Sequence, residues 1–201
     1  MLFDYDGDGD LDLFDASVPP RLFKNDGGKF TDVTAGAGLS ISGSDACFAA
    51  IAGDYDNDNR PDLFGVYAAQ NRFVLYHNDG GGRFSDRTKD AGIATPSGQN
   101  AAYVSAAFVD FDHDGDLDIF VTGPANILLR NNGNGAFTEI TQAAGISARS
   151  SAAEGSAVIP TDFDNRRDVD LFLLDRKQPP ALLRNTIYRL HCHCLFRQPS
   201  Y

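Results

Sequence analysis

The sequence has no tryptophan and one methionine, and of its 28 acidic residues only Glu139 and Glu154 are glutamate. Aspartate supplies the rest, and it is a poor helix former, so the composition excludes a helical bundle. Three cysteines, Cys47, Cys192 and Cys194, are odd in number and do not make a disulfide framework. The apolar stretches Ala46 to Gly53 and Ala101 to Val109 fall far short of the roughly 18 residues a membrane helix needs, so no membrane insertion is expected. Met1-Leu2-Phe3 runs directly into Asp4 and Asp6, without a basic n-region or an apolar h-region. No signal peptide is expected there, and the start reads as internal to a repeat. A formal net charge of −11 excludes a phosphate-backbone binder, so no nucleic-acid partner is expected.

The 201 residues are 42% hydrophobic, enough for a core in one large domain or two small ones. Twenty glycines and fifteen phenylalanines give a turn-rich β composition. The chain repeats itself. Asp4-Tyr-Asp-Gly-Asp-Gly-Asp-Leu-Asp12-Leu-Phe14 returns as Asp54 to Phe64, Asp110 to Phe120 and Asp162 to Phe172, with starts 50, 56 and 52 residues apart. A second signature rides at a fixed offset: Asn25-Asp-Gly, Asn78-Asp-Gly or Asn131-Asn-Gly, then a Phe strand, then Ala37-Gly38-Leu39, Ala91-Gly92-Ile93 or Ala144-Gly145-Ile146. The Asn/Asp-Gly clusters between alternating runs are hairpin turns.

A β-type period near 50 suggests propeller blades. In the second unit the four strands are expected at Phe48 to Gly53, Asp62 to Tyr67, Arg72 to His77 and Phe84 to Thr88. The strand after each Asp loop, such as Leu171-Phe-Leu-Leu174, is apolar on both faces. That fits a sheet sandwiched between neighbours rather than one with a wet face. A two-sheet sandwich is the alternative. The fold expected is all-β, an incomplete propeller of about 3.5–4 four-stranded blades around 1–46, 47–102, 103–155 and 156–185. Residues 186–201 break the pattern and read as a non-repeat tail, a candidate frameshift product. The first unit lacks most of its opening strand and the fourth lacks its closing strand. An open arc with two uncovered blade faces, prone to self-association through open blade edges, is therefore expected.

The Asp loops hold 18 of the 28 acidic residues and three of the basic ones, so they sum to −15 while the rest of the chain is +4. Carboxylates this dense repel one another without a cation. Oxygen donors at loop positions 1, 3, 5 and 9, with a backbone carbonyl at position 7, suit Ca²⁺. The metal ligands expected are Asp4, Asp6, Asp8, Asp10 and Asp12; Asp54, Asp56, Asp58, Arg60 and Asp62; and Asp110, Asp112, Asp114, Asp116 and Asp118. Asp10, Arg60 and Asp116 would act through the backbone carbonyl. Position 6 must turn sharply, and Gly9, Asn59 and Gly115 allow it. No cysteine lies in the loops, and His113 at position 4 is expected to point outward, so zinc is disfavoured. An EF-hand shares the opening Asp-x-Asp-x-Asp-Gly but needs Glu at position 12, where Asp15, Gly65, Val121 and Leu173 stand. Loop four, with Asp162, Asp164, Asp168 and Asp170, is a weak or degenerate site. Arg166 stands at position 5 and Arg167 at the turn; either the Arg166 guanidinium replaces calcium or the loop is simply solvated.

These segments, each joined to an Asn-x-Gly…Phe-Thr-x-x-Thr…Ala-Gly-Ile/Leu element, resemble the FG-GAP/VCBS repeats of integrin-α-like β-propellers. The Phe30-Thr-Asp-Val-Thr34…Ala37-Gly38-Leu39 element looks most like the cartilage-acidic-protein/ASPIC-UnbV type. The resemblance spans about residues 1–185. It implies calcium in the loop between the first two strands of each blade, usually seven blades, and a secreted, periplasmic or cell-surface location.

Catalysis has little support. No G-x-S-x-G and no H-E-x-x-H occurs, and carboxylates around calcium serve poorly as general acids. His77, before a Gly-rich turn, reads as an exposed loop residue. His191-Cys192-His193-Cys194 cannot all face one tetrahedral ion. The expectation is a calcium-binding extracellular module for protein or carbohydrate ligands. The alternative is a structural or substrate-presenting segment of a larger secreted enzyme. Partner surfaces are expected on loops such as 70–72 and 95–100.

Overall fold

The computed structural model describes residues 1–39, 46–67, 72–94, 103–146, 155–186 and 189–194. Among these residues the regular structure is all strand. Sheet one holds β1 (Leu2–Phe3), β2 (Asp12–Asp15), β3 (Arg21–Asp26) and β4 (Lys29–Asp32). Sheet two holds β5 (Cys47–Gly53), β6 (Asp62–Tyr67), β7 (Phe73–Gly80) and β8 (Arg83–Asp86). Sheet three holds β9 (Ser105–Val109), β10 (Asp118–Thr122), β11 (Ile127–Asn131) and β12 (Phe137–Glu139). Sheet four holds β13 (Gly155–Thr161), β14 (Asp170–Asp175), β15 (Ala181–Asn185) and β16 (Leu190–Cys194). Each is an antiparallel meander with strands in chain order. Four separate sheets replace the two-sheet alternative.

The doubly apolar strands now have a cause. Leu63 and Tyr76 pack toward sheet one in a core with Phe14, Leu22 and Phe84. Their sequence neighbours Phe64 and Leu75 pack toward sheet three with Ile119, Leu129 and Phe137. Phe120 and Leu128 carry the pattern on to Leu171 and Leu183 of sheet four. Three apolar cores thus alternate with four sheets. A strand wetted on neither face has no polar alternation to show.

The expected end of the fourth unit at 185 is corrected. β16 pairs with β15, Asn185 opposite Leu190 and Arg184 opposite His191, and supplies the fourth strand. Leu190 is buried, and its N–H donates to Ala144 O at 2.7 Å. Phe84 and Phe137 make the same bond to Ala37 O and Ala91 O, both 2.8 Å. Leu190 therefore fills a phenylalanine's place, which the motif Gly-x-Phe-Thr could not reveal. The fourth unit's opening strand likewise begins at Gly155, and residues 190–194 belong to the sheet rather than to a tail. Loop 95–100 and residues 70–71 lie outside the described residues.

Candidate metal loops

Each Asp loop joins the first and second strands of its sheet. Position 1 organises the turn: Asp4 Oδ1 and Oδ2 accept the N–H groups of Gly7 (2.8 Å) and Gly9 (3.0 Å). Asp54 does the same for Asp58 and Asn59, and Asp162 for Arg166 and Arg167. Position 6 is left-handed, as expected, at Gly9, Asn59 and Gly115, and also at Arg167 with φ 73°. Loop four thus keeps the turn despite its arginine. Position 4 is left-handed too, at Gly7, Asn57, His113 and Asn165. The sequence reading missed that second turn, although Gly, Asn and His are the types that tolerate it.

The carboxylates of positions 1, 3 and 5 converge. Ligand atoms of Asp4, Asp6 and Asp8 lie within 4.8 Å of one another, as do those of Asp54, Asp56 and Asp58 and those of Asp110, Asp112 and Asp114. In loop four the converging set is Asp162, Asp164 and Asp170, because Arg166 holds position 5. Asp6 Oδ1, Asp110 Oδ1 and Asp112 Oδ1 are buried without a hydrogen-bond partner. An orphaned buried carboxylate oxygen is costly, and a hard cation with oxygen ligands removes that cost. The residues present therefore fit such an ion, and loop three fits it best. Burial, with the charge of Asp114 added, raises the carboxyl of Asp112 above its usual value; burial and Asp58 raise Asp56.

At position 9, expected as a ligand, Asp62 lies in one converging group with Asp56 and His77, and Asp170 in that of loop four; the residue also has a second task. Asp12, Asp62, Asp118 and Asp170 are buried, and both oxygens of each accept backbone N–H groups. Asp62 Oδ2 takes Tyr55 N–H at 3.1 Å and Oδ1 takes Asn78 N–H at 2.7 Å. Asp118 takes Phe111 N–H at 2.9 Å and Asn131 N–H at 2.7 Å. Asp12 and Asp170 repeat the pattern with Tyr5 and Asn25, and with Phe163 and Asn185. The residue is a clamp between loop and third strand. Burial pushes Asp62 up to about 6 and Asp118 up to about 7, against the pull of these hydrogen bonds.

Position 7 closes loops one to three. The N–H groups of Asp10, Arg60 and Asp116 donate to Asp8, Asp58 and Asp114. Two side chains of this position also tie neighbouring loops: Asn57 Nδ2 donates to Asp116 Oδ1 at 2.8 Å, and His113 Nε2 lies 3.1 Å from Asp168 Oδ1, whereas Arg60 donates to Asn78 O at 2.7 Å and contacts Asp58 of its own loop. His113 therefore meets the next loop rather than solvent alone.

A basic residue on the third strand faces each loop in equivalent register: Lys24, His77, Arg130 and Arg184. Lys24 Nζ contacts Asp6, and lies 2.7 Å from Asp8 Oδ2. Those two carboxylates raise the lysine, while the lysine lowers Asp8. His77 Nδ1 is 3.2 Å from both Asp56 Oδ2 and Asp62 Oδ1, so His77 is a loop-facing residue and not an exposed one. Arg184 Nε donates to Asp164 Oδ2 at 2.7 Å. Arg166, exposed at the rim, reaches the same oxygen only at 3.4 Å. The internal cation of loop four is thus chiefly Arg184. Loop three has no ion pair to Asp110, Asp112 or Asp114 among the described residues.

A family model for the FG-GAP-like repeat matches residues 4–65 and 65–121. The chain belongs to this family. Repeats of this kind and the four meanders together make the fold propeller-like. Curated relatives include cartilage acidic protein 1 of Mus musculus, 29% identical over 146 residues, and that of Homo sapiens, 29% identical over 169 residues. The matches take in 69% and 82% of this chain but only 19% and 22% of those proteins, so the chain spans about a fifth of their length. Among solved structures, a lectin chain from Agrocybe aegerita superposes with a TM-score of 0.52 at 18% identity, over 94% of this chain and 49% of the lectin's. Its title describes specific recognition of non-reducing terminal N-acetylglucosamine. At that identity the likeness speaks to fold alone. No helix among the described residues is long and apolar enough to cross a membrane.

Proposed function

We propose that the chain is a calcium-binding, non-catalytic propeller module of an extracellular protein, and that it presents loops to a protein or glycan ligand. The observation that carries the metal reading is the set of orphaned, buried oxygens on Asp6, Asp110 and Asp112 inside converging all-oxygen triads. Calcium would be held by Asp4, Asp6 and Asp8, by Asp54, Asp56 and Asp58, and by Asp110, Asp112 and Asp114. Loop four would stay metal-free, since Arg184 already neutralises Asp164. The metal's part is to offset loop charge and stiffen the turn; the chain's part is to aim the oxygens. The raised carboxyls of Asp62 and Asp118 do not argue for acid–base chemistry, because both are buried and committed to backbone N–H groups. Extracellular placement is supported by the relatives' family and by calcium supply there. A glycan-binding lectin among the fold neighbours supports a recognition role.

Titration calorimetry with CaCl₂ on the EDTA-stripped chain tests this reading. Three sites, with the Asp112→Asn variant losing one, are expected. Heat no different from a buffer blank would end the metal reading, and four equivalent sites would end the assignment of loop four. Glycan-array binding that disappears in EDTA would identify the ligand class.

A further inference from the structure

Of the four residues that face the loops from one register of the third strand, Lys24, Arg130 and Arg184 are cations at neutral pH and offer no lone pair. His77 is the exception, because a neutral imidazole carries an acceptor nitrogen and is a common metal ligand. Loop two therefore differs in kind from the other three.

His77 Nδ1 lies 3.2 Å from Asp56 Oδ2 and 3.2 Å from Asp62 Oδ1. The nitrogen is shut off from solvent and yet makes no hydrogen bond, so neither oxygen is aimed as its acceptor. Ligand atoms of Asp56, Asp62 and His77 all lie within 4.8 Å of one another. Adjacent donors on a tetrahedral ion bound at about 2.0–2.1 Å stand about 3.3–3.4 Å apart. The two short separations are thus close to those of neighbouring ligands on one small ion.

The rest of loop two suits this group. Asp62 is held in place by the N–H groups of Tyr55 and Asn78, and an oxygen that accepts one hydrogen bond keeps a second lone pair. The Arg60 guanidinium contacts Asp58 and donates to Asn78 O, which leaves Asp56 and Asp62 to the imidazole. Asp79 Oδ1 lies 3.7 Å from the other ring nitrogen, Nε2, the side on which carboxylate–histidine–metal arrangements place their outer carboxylate. Asp56 reaches solvent, which gives an ion a way in. The loops' own residues disfavour zinc; the nitrogen donor here comes from outside the loop, on the third strand.

We propose that loop two is a mixed nitrogen–oxygen site for a small divalent transition ion of the zinc class, held by Asp56 Oδ2, Asp62 Oδ1 and His77 Nδ1. Imidazole suits zinc, whereas calcium takes oxygen donors. Asp56 belongs to the calcium triad as well, so the two ions exclude each other at this loop. The proposal shares that one residue with the calcium reading and does not otherwise rest on it.

The test is calorimetric titration of ZnCl₂ into the EDTA-stripped full chain, with Co²⁺ absorption as a second readout. His191, Cys192, His193 and Cys194 are metal-ligating types too, so Cys192→Ser/Cys194→Ser and His191→Gln/His193→Gln are titrated alongside. One site is expected that persists in both double variants. His77→Gln and His77→Lys should each weaken it by more than the roughly 10–100-fold lost with an outer-shell partner. A lysine already stands at this register in loop one, so His77→Lys should fold, and metal-free melts check both variants. Co²⁺ should show the intense visible bands of a four-coordinate ion in the unaltered chain and not in His77→Gln. Zinc binding that survives both His77 variants, or that disappears with either double variant, overturns the proposal, as does a Co²⁺ spectrum no different from the aqueous ion. A separate CaCl₂ titration keeps the two readings apart. Calcium binding without a His77-dependent zinc site ends this proposal alone, and such a zinc site in a chain that takes up no calcium ends only the calcium reading.

Discussion

Asp118 shows how much one carboxyl group carries in this fold. It ties the loop at Phe111 to the third strand at Asn131 while fully buried. Removing it leaves two buried N–H groups unpaired, each costing about 1–3 kcal/mol. Asp118→Ala in EDTA should therefore lose about 2–6 kcal/mol by urea unfolding, whereas the exposed Asp90→Ala should change little. Burial also gives the metal-free chain a pH dependence. Asp62 is pushed up to about 6 and Asp118 up to about 7, so between the ordinary carboxyl range and neutrality the folded chain holds protons the unfolded chain has released. Stability must then fall as pH rises through that window. The lowered carboxyls, Asp8 and Asp32, act below it. In EDTA the melting midpoint should be higher at pH 5 than at pH 7.5; the reverse order would show that another group dominates. Position 9 was legible as a ligand carboxylate, but not as a clamp, because one of its two N–H donors comes from the third strand, 13–16 residues further on. His77 was misread for a related reason. Its neighbour across the sheet fixes the face it occupies, yet a signal was available: Lys24, His77, Arg130 and Arg184 all immediately precede Asn25, Asn78, Asn131 and Asn185. Lys24→Gln, which frees Asp6 and Asp8, should tighten calcium binding at loop one several-fold by calorimetry.

Between sheets, the asparagine that ends the third strand does what backbone pairing cannot. The described sheets share no hydrogen-bonded strands, and each is held to the next by apolar packing and a few polar ties. Asn131 makes one of them, to Tyr55 O at 2.7 Å, and within its own sheet also donates to Leu117 O at 3.3 Å, while buried itself. Asn131→Ala keeps the Asp118 clamp, which uses only the backbone N–H, and strips the carbonyl of Tyr55. A loss of about 1–3 kcal/mol is expected. Hydrogen exchange should quicken at the Tyr55 loop and at β12 before it quickens in sheet four; uniform quickening would mean that the sheets unfold as one unit. The element pattern itself was plain from sequence. β6 spans Asp62–Tyr67 as expected, and β5 and β7 differ from expectation by a few residues at most. β16 was missed because outer-strand identity is set by packing under an Ala-Gly turn, and Leu190 satisfies that packing without the Phe-Thr signature.

Over the whole chain, charge and metal decide stability together. The Asp loops carry a net −15 against +4 elsewhere, so folding gathers like charge into four places along one line of loops. Protein cations already relieve three of them, through Lys24 in loop one, Arg60 beside Asp58 in loop two and Arg184 in loop four. In loop two His77 also lies near Asp56 and Asp62, and loop three has no cation within ion-pair distance of Asp110, Asp112 or Asp114 among the described residues. Calcium should therefore stabilise the fold mainly through loop three. At about 100 times its dissociation constant, a ligand adds about 2.7 kcal/mol per site, and for a chain of this size that is roughly 5–10 °C in the melting midpoint. Melts in calcium and in excess EDTA should differ by at least one such step. Asp112→Asn should remove most of the loop-three share, and Asp6→Asn should remove much less, because Lys24 remains to balance Asp8. If Asp6→Asn lowers the calcium-dependent shift as much as Asp112→Asn does, the third-strand cations are not standing in for metal, and the unequal division of labour among the loops is wrong.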